Sequence, residues 1–397
     1  MLNLENAALA GKKVIVRVDL NVPILHGKVT DTERIERILP TIHYLRSRNS
    51  KVILMSHFGR PKGSFNLDMS LAPIVDKLQE FLPNITVKFA VDCRGQKAQD
   101  AVSGLQVGEV LMLENLRFYK EEAENDVEFS KELASYADLY INDSFSCSHR
   151  SHSSIDGITK FLPSYPGLLL TEEISTLEKY LTNPKKPMIS IVGGSKVSTK
   201  IILLKHLAVC SHAIVIGGAM ANTFLKAQNI DVKKSLVEDD FLDVAKEILI
   251  IAQQNNCEII LPEDVVVAKN ITDSFDVKVV SVNAVPDDYM ILDIGPQAVG
   301  YIASKLADSK TVLWNGPLGA FEFRPFNIGS ESIARHISLL TSQGKMISIA
   351  GGGDVVASVK GSGLKNTFTY ISTAGGAFLA WLEGKDLPGI RALKEAN

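Results

Sequence analysis

Short runs rich in Val, Ile and Leu, separated by helix-patterned segments, recur along the whole chain. KVIVRVDL, KVILMS, EVLMLEN and LYIND occupy the first half; MISIVGG, HAIVIGG, EIILPED, MILDIG, TVLWNG and MISIAGG occupy the second. Apolar runs with so little alternation belong to strands covered on both faces, and their interleaving with helices predicts βαβ units and parallel sheets. At 397 residues the chain exceeds what one hydrophobic core fills, so the expected fold class is α/β with two doubly wound parallel-sheet domains.

Between the halves lies SYPGLLLTEEISTLEKYLTNPKKP, where Leu170, Ile174, Leu177 and Leu181 recur at helical spacing. Pro166-Gly167 precedes this stretch, and Pro184 and Pro187 follow it. It reads as a connecting helix over 168–185, with an N-terminal domain over 1–167 and a C-terminal domain from 186 onward. A net charge of −3, with 22% charged residues, gives no overall attraction to nucleic acid or anionic membrane. Neither a signal peptide nor a run of about 18 apolar residues is found. Cys93, Cys147, Cys210 and Cys257 form no C-x-x-C and read as reduced thiols, so the expected location is cytoplasmic.

In open α/β sheets, ligands bind beyond the carboxyl ends of the strands. In the first half those ends carry charge: VDLN, SHFGR, ENLR and NDSFSCSHRSHSS. His57, Arg60, Arg117, His149 and Arg150 follow strands. Arg34 is placed early in a helix that opens with a capping-box pattern at Thr30-Asp31-Thr32-Glu33. A lone arginine is usually paired with a neighbouring acid; several at strand ends of one domain point to an anion site, since guanidinium forks bind phosphate and carboxylate bidentately. Asp19 and Asn21 suit a hydroxyl on the same ligand.

In the second half the strand ends carry glycine: VGG, IGG, DIG, WNG and AGGG. Neither G-x-x-x-x-G-K-[ST] nor G-x-G-x-x-G occurs, which argues against a dehydrogenase. Lys196 and Lys200 are four apart, and a helix starting near Ser195 would put them on one face; the alternative is a solvated lysine face. Gly217, Gly218 and Gly295 would let a nucleotide approach the backbone, while Asn315, Pro317 and Glu322 suit its rim. An exposed acid is the competing reading of Glu322. Gly351, Gly352 and Gly353 bring N–H groups and a helix start to phosphate, and Asp354 would hold Mg²⁺ or act as an N-cap. Two phosphate-handling surfaces of different kinds predict two phosphorylated ligands meeting across a cleft.

RVDLNVP, SHFGRPKG, ENLRFY, NDSFSCSHRSHSS, IVGGSKVSTK, GGAMANTFL, WNGPLGAFE and GGGD occur in one order, and with them the chain resembles the phosphoglycerate kinase family from end to end. The resemblance implies two Rossmann-like domains closing about a hinge, a segment 377–397 that returns to the N-terminal domain, and a C-terminal domain over 186–376. It implies reversible phosphoryl transfer between 1,3-bisphosphoglycerate and ADP, giving 3-phosphoglycerate and ATP in glycolysis, by a monomer using Mg²⁺. Asp19, Asn21, Arg34, His57, Arg60, Arg117 and Arg150 would hold the triose, with His149 adjacent. Lys196, Lys200, Gly217, Gly218, Gly295, Asn315, Pro317, Glu322 and Asp354 would serve the Mg-nucleotide.

Phosphoryl transfer needs alignment and positive charge rather than covalent help. Arg34 and Lys200 are the expected transition-state cations, assisted by backbone N–H groups at Gly351–Gly353 and at Gly375-Gly376. Gly352 and Gly375 thus join the catalytic set. The acceptor is a carboxylate or ADP, already ionised, so no general base is required. Val355 stands where a hydroxyl residue commonly follows the aspartate, Ser195 where Ala is usual, and Ala219 where Gly is usual. STAGGAFLAWLEGK likewise departs from the common STGGGASLELLEGK. A nucleotide- or sugar-phosphate-binding protein with weak catalysis is the alternative those departures leave.

Overall fold

A computed structural model describes residues 2–272 and 275–396. The chain forms two compact units, Met1–Ser175 with Asp386–Asn397, and Thr176–Lys385. These borders fall within the connecting helix and after residue 385, rather than at 167, 185 and 376.

The first unit is built on a six-stranded parallel sheet. Across it run Val87–Ala90, Val110–Leu113, Lys51–Met55, Lys13–Arg17, Leu139–Asn142 and Ser164–Pro166. Val14, Ile15 and Val16 of the central strand are fully buried, as expected of a strand covered on both faces. Helix Glu33–Ser47 lays Ile35, Ile38, Ile42 and Leu45 onto this sheet beside Val14, Val16, Val52 and Leu54. Each such side chain contributes roughly 1.5–3 kcal/mol when buried. The helix begins later than the expected capping box. Thr32 is its N-cap, Asp31 Oδ1 accepts from the Glu33 N–H at 2.9 Å, and the Thr32 hydroxyl donates to Glu36 Oε1.

The second unit has another six-stranded parallel sheet, ordered Glu258–Ile260, Ala213–Ile216, Met188–Val192, Thr311–Asn315, Ile347–Gly351 and Tyr370–Ser372. Counted along the chain, the order is third, second, first, fourth, fifth, sixth. It reverses between Met188–Val192 and Thr311–Asn315, and the crevice at such a switch point is where open α/β sheets bind ligands. One expected parallel strand belongs elsewhere. Met290–Ile294 pairs antiparallel with Asp264–Ala268, which also pairs with Lys278–Ser281. Val265 and Val267 face a satellite core with Leu225, Val232 and Tyr289 while Val266 is less buried, the pattern of a sheet covered on one face.

Helix Leu168–Leu177 buries Leu170, Ile174 and Leu177, then passes into a π-helical turn, Glu178–Thr182. The wider turn takes Leu181 off the buried stripe. At the helix start, Asp143 Oδ1 accepts from the N–H groups of Leu169 at 2.9 Å and Leu170 at 3.2 Å.

Candidate functional site

In the first unit, loops after the strand ends gather most of the predicted residues. Arg34 Nη1 donates to Asp19 Oδ2 at 2.8 Å and to the Asn21 carbonyl at 3.0 Å. The Asn21 N–H donates to Asp19 Oδ1, Asn21 Oδ1 accepts from the Gly59 N–H at 2.9 Å, and the Ser146 hydroxyl donates to Asp19. Arg117 Nη1 donates to the Gly59 carbonyl at 2.7 Å, which ties a fourth segment to the same loop. Arg150 Nε donates to His149 Nε2 at 3.2 Å. Arg60, by contrast, is exposed just beyond Gly59.

Arg17 was not singled out in the sequence, yet it is fully buried at the end of the central strand. Its Nε donates to Ser154 Oγ at 2.8 Å, Nη1 to the Val18 carbonyl, and Nη2 lies 3.1 Å from His57 Nδ1. A guanidinium only donates, so Nδ1 accepts and a neutral His57 carries its proton on Nε2. The signal was present in KVIVRVDL, a charge inside an otherwise apolar strand. Cys147 meets His57 as well, Sγ to Nδ1 at 3.9 Å.

The electrostatics of this cluster follow from burial and crowding. Burial and then the Arg17 charge push His57 well below its ordinary value, leaving it neutral at pH 7. Burial opposes ionisation of Asp19, but nearby positive charge, the Ser146 hydroxyl and the Asn21 N–H hold its carboxyl down at about 2. With His57 neutral, Arg34 is the cation that keeps Asp19 ionised. Burial, followed by repulsion from Arg150 and Arg17, lowers Arg117 to about 10. Cations that depress one another in this way gain when an anion comes between them.

In the second unit the switch point is closed by backbone. Gly193 follows Met188–Val192, and a Cβ there would lie 1.8 Å from the Pro317 carbonyl oxygen. Gly316, at φ +99°, would place a Cβ 2.2 Å from the Gly193 carbonyl and 2.7 Å from Lys200 Nζ. Lys200 Nζ donates to the carbonyls of Gly193 at 2.7 Å and Asn315 at 3.0 Å. Burial pulls its ammonium down to about 8, with the Asp354 charge acting the other way.

Lys200 is the N-cap of helix Ile201–Cys210, so no helix runs from Ser195 and the shared face expected for Lys196 and Lys200 does not exist. Lys196 is exposed in the preceding turn. Asn315 Nδ2 donates to the Gly351 carbonyl at 2.7 Å, linking two strand ends. Gly352, at φ +107°, caps helix Gly353–Gly361, whose opening N–H groups have no helical acceptor. Asp354 is exposed in its first turn, whereas the Val355 side chain is fully buried in the core with Trp314 and Val359. Val355 therefore offers a ligand its backbone and not its side chain.

Gly194, Ser195, Gly218, Pro317, Glu322 and Asp354 line a cavity of about 430 Å³ with apolar walls that include Leu236, Met290 and Leu292. Gly217 and Gly218 serve close packing: a Cβ would strike Leu318 or the Gly194 carbonyl, and the Gly218 N–H donates to the Leu318 carbonyl. Gly295 is apart from that cavity, packed against Asp264, whose carboxylate accepts from the N–H groups of Gln297 and Ala298. Gly375 caps the short helix Gly376–Leu382 at φ +51°.

These features define a two-unit, doubly wound α/β protein with a guanidinium-rich site in one unit and a glycine-floored, lysine-bearing site in the other. The chain matches the phosphoglycerate kinase family over residues 4–385. It is 50% identical over 389 residues to phosphoglycerate kinase of Agrobacterium fabrum, spanning 98% of this chain and 97% of that protein. Phosphoglycerate kinase of Brucella abortus is likewise 50% identical, over 99% of both chains. The solved structure of phosphoglycerate kinase from Coxiella burnetii is similar with a TM-score of 0.89 at 37% identity, covering 99% of each chain. That from Pyrococcus horikoshii gives 0.86 at 30% identity, covering 100% of this chain and 99% of the other. The chain belongs to the phosphoglycerate kinase family.

Proposed function

We propose that this chain transfers a phosphoryl group reversibly between 1,3-bisphosphoglycerate and ADP, giving 3-phosphoglycerate and ATP. The observation that carries the reading is Lys200: a partly buried ammonium held by two carbonyls at a glycine-lined switch point, in a chain of this family. Half-identity to phosphoglycerate kinases over nearly the full length favours the enzyme over a catalytically weak binder on the same fold.

The triose phosphate and its carboxyl end bind among Arg34, Arg117, Arg150 and neutral His57, with Asp19 and Asn21 fixing the hydroxyl and Arg60 and His149 at the margin. The nucleotide's base lies along the apolar wall near Leu236, Met290 and Leu292, its ribose near Glu322, and its phosphates toward Gly353 and Lys200. Lys196 approaches from its exposed turn. Lys200 and Arg34 offset charge on the transferring group, and the carboxylate acceptor needs no base. Ligands held on separate units react only when the units approach, and that approach expels the water that would otherwise accept the phosphoryl group.

Asp354, an exposed carboxylate at the cavity edge, fits Mg²⁺, which takes one or two carboxylates and completes its shell with phosphates and water. When bound, the ion supplies charge neutralisation on the phosphate oxygens. Among the described residues, Asp19, His57 and Cys147 are the one group with metal-ligand spacing, and Arg17 and Arg34 beside them disfavour a cation. A cytoplasmic monomer in glycolysis is the setting we propose; among the described residues no helix is long and apolar enough to cross a membrane.

ATP consumption by the purified protein with Mg²⁺, coupled to NADH oxidation, tests the reading. Turnover is expected to require 3-phosphoglycerate; ATP binding with no such turnover would overturn it.

A further inference from the structure

The second unit has another cavity, larger than the glycine-floored one. A cavity of about 700 Å³ opens beside helix Ile201–Cys210, within the size range of small-molecule sites. Its floor is buried and apolar: Met188, Leu207, Leu313 and Leu382. Trp381 and Leu181 extend the wall, while Lys186 and His206 stand exposed at its mouth. No acidic residue lines it. Burial pushes the neighbouring Cys210 thiol up, and the hydrogen bond with Ser211 and, less, the charge of Lys186 act against that. Met188 opens the strand whose other end, Val192, leads to Gly193, roughly 13 Å away at strand rise. The cavity is therefore separate from the phosphate-handling end of the sheet.

The chain segments that line it have a particular place in the fold. Leu181–Lys186 lies just after the border at residues 175 and 176; Trp381 and Leu382 lie just before the border at 385 and 386. Segments that lie close in sequence to both crossings between the units thus contribute to this wall.

We propose that this cavity binds a small amphipathic anion, an aromatic or short-acyl body carrying one carboxylate or sulfonate, and that the occupant holds these two wall segments together. The body replaces water over Met188, Leu207, Leu313 and Trp381, and the anionic head pairs with Lys186. The assignment stands on the cavity itself and is independent of the reaction proposed above.

Anilinonaphthalene sulfonate is the probe, titrated into the full-length protein with and without saturating Mg-ADP. Saturable binding of one probe per chain is expected, unchanged by Mg-ADP. Lys186→Glu, and Val209→Asp at a lining position that is 61% exposed, should each weaken it at least about tenfold while leaving the thermal midpoint in place. Neutral phenylnaphthylamine should bind at least about tenfold more weakly. Amide exchange over 178–186 and 376–382 should slow on binding. Displacement by Mg-ADP, unchanged affinity in both variants, equal binding of the neutral probe, or unaltered exchange in those segments would each overturn the proposal.

Discussion

Arg34 and Lys200 carry the proposed chemistry from opposite electrostatic positions, one paired with a carboxylate and the other partly stripped of solvent. Replacing Arg34 by Ala is expected to lower turnover by roughly 10³–10⁵, the range seen when a transition-state arginine is lost. ADP affinity, measured by calorimetry, should hold, because the nucleotide residues belong to the other unit. Near-normal turnover would remove Arg34 from the mechanism. Lys200 makes a pH prediction whose sign is fixed by its lowered value of about 8. As pH rises through that value the free enzyme loses this cation, so kcat/KM for nucleotide should fall about tenfold per pH unit above it. Bound phosphates restore the proton, so kcat should hold to higher pH. A kcat/KM flat to about pH 9.5 would count against the assignment. Both residues were legible from position, one early in a helix and one after a glycine strand end. Arg17 was not, because a buried charge in a Val-rich strand was read as strand alone.

Strands and their glycine ends were the most legible parts of the fold, for a physical reason: a parallel strand covered on both faces must be continuously apolar, and that pattern survives without any partner in view. MILDIG shows the limit. Its residue types suit a parallel strand, and only the pairing with Asp264–Ala268 makes it antiparallel. The helix after Gly193-Gly194 was misjudged because Ser195, Ser198 and Thr199 all suit a cap, while turns carry the chain to a start at Ile201. Where strand ends nearly touch, the close approach itself is testable. Gly316→Ala introduces a Cβ 2.2 Å from the Gly193 carbonyl at a φ of +99°. We expect loss of at least about 2 kcal/mol in denaturant unfolding and a marked weakening of ADP binding through displacement of Lys200. A variant as stable as the parent would show that this contact relaxes freely.

The unit that begins the chain also holds its last helix. Gly389 donates its N–H to the Ser148 carbonyl at 2.9 Å, and a Cβ there would lie 2.8 Å from Ile155, so Pro388–Glu395 packs closely beside the loop bearing His149 and Arg150. Its buried Ile390 and Leu393 contribute roughly 1.5–3 kcal/mol each. Deleting 386–397 should lower the unfolding midpoint of this unit and abolish 3-phosphoglycerate binding while ADP affinity persists; equal loss of both ligands would contradict the division. That the chain would come back was expected only from family resemblance, since nothing in the composition of 386–397 names its neighbour. The arrangement also bears on biosynthesis. All residues of Thr176–Lys385 have been made before Asp386 is added, so this unit's contacts are complete in sequence while the ribosome is still at work. The sheet over 13–166 is synthesised earlier, but helix Pro388–Glu395 of the same unit emerges only after Thr176–Lys385. The unit translated first is thus the one that must wait, with Ile155 and the loop at Ser148 uncovered until residues 388–395 arrive.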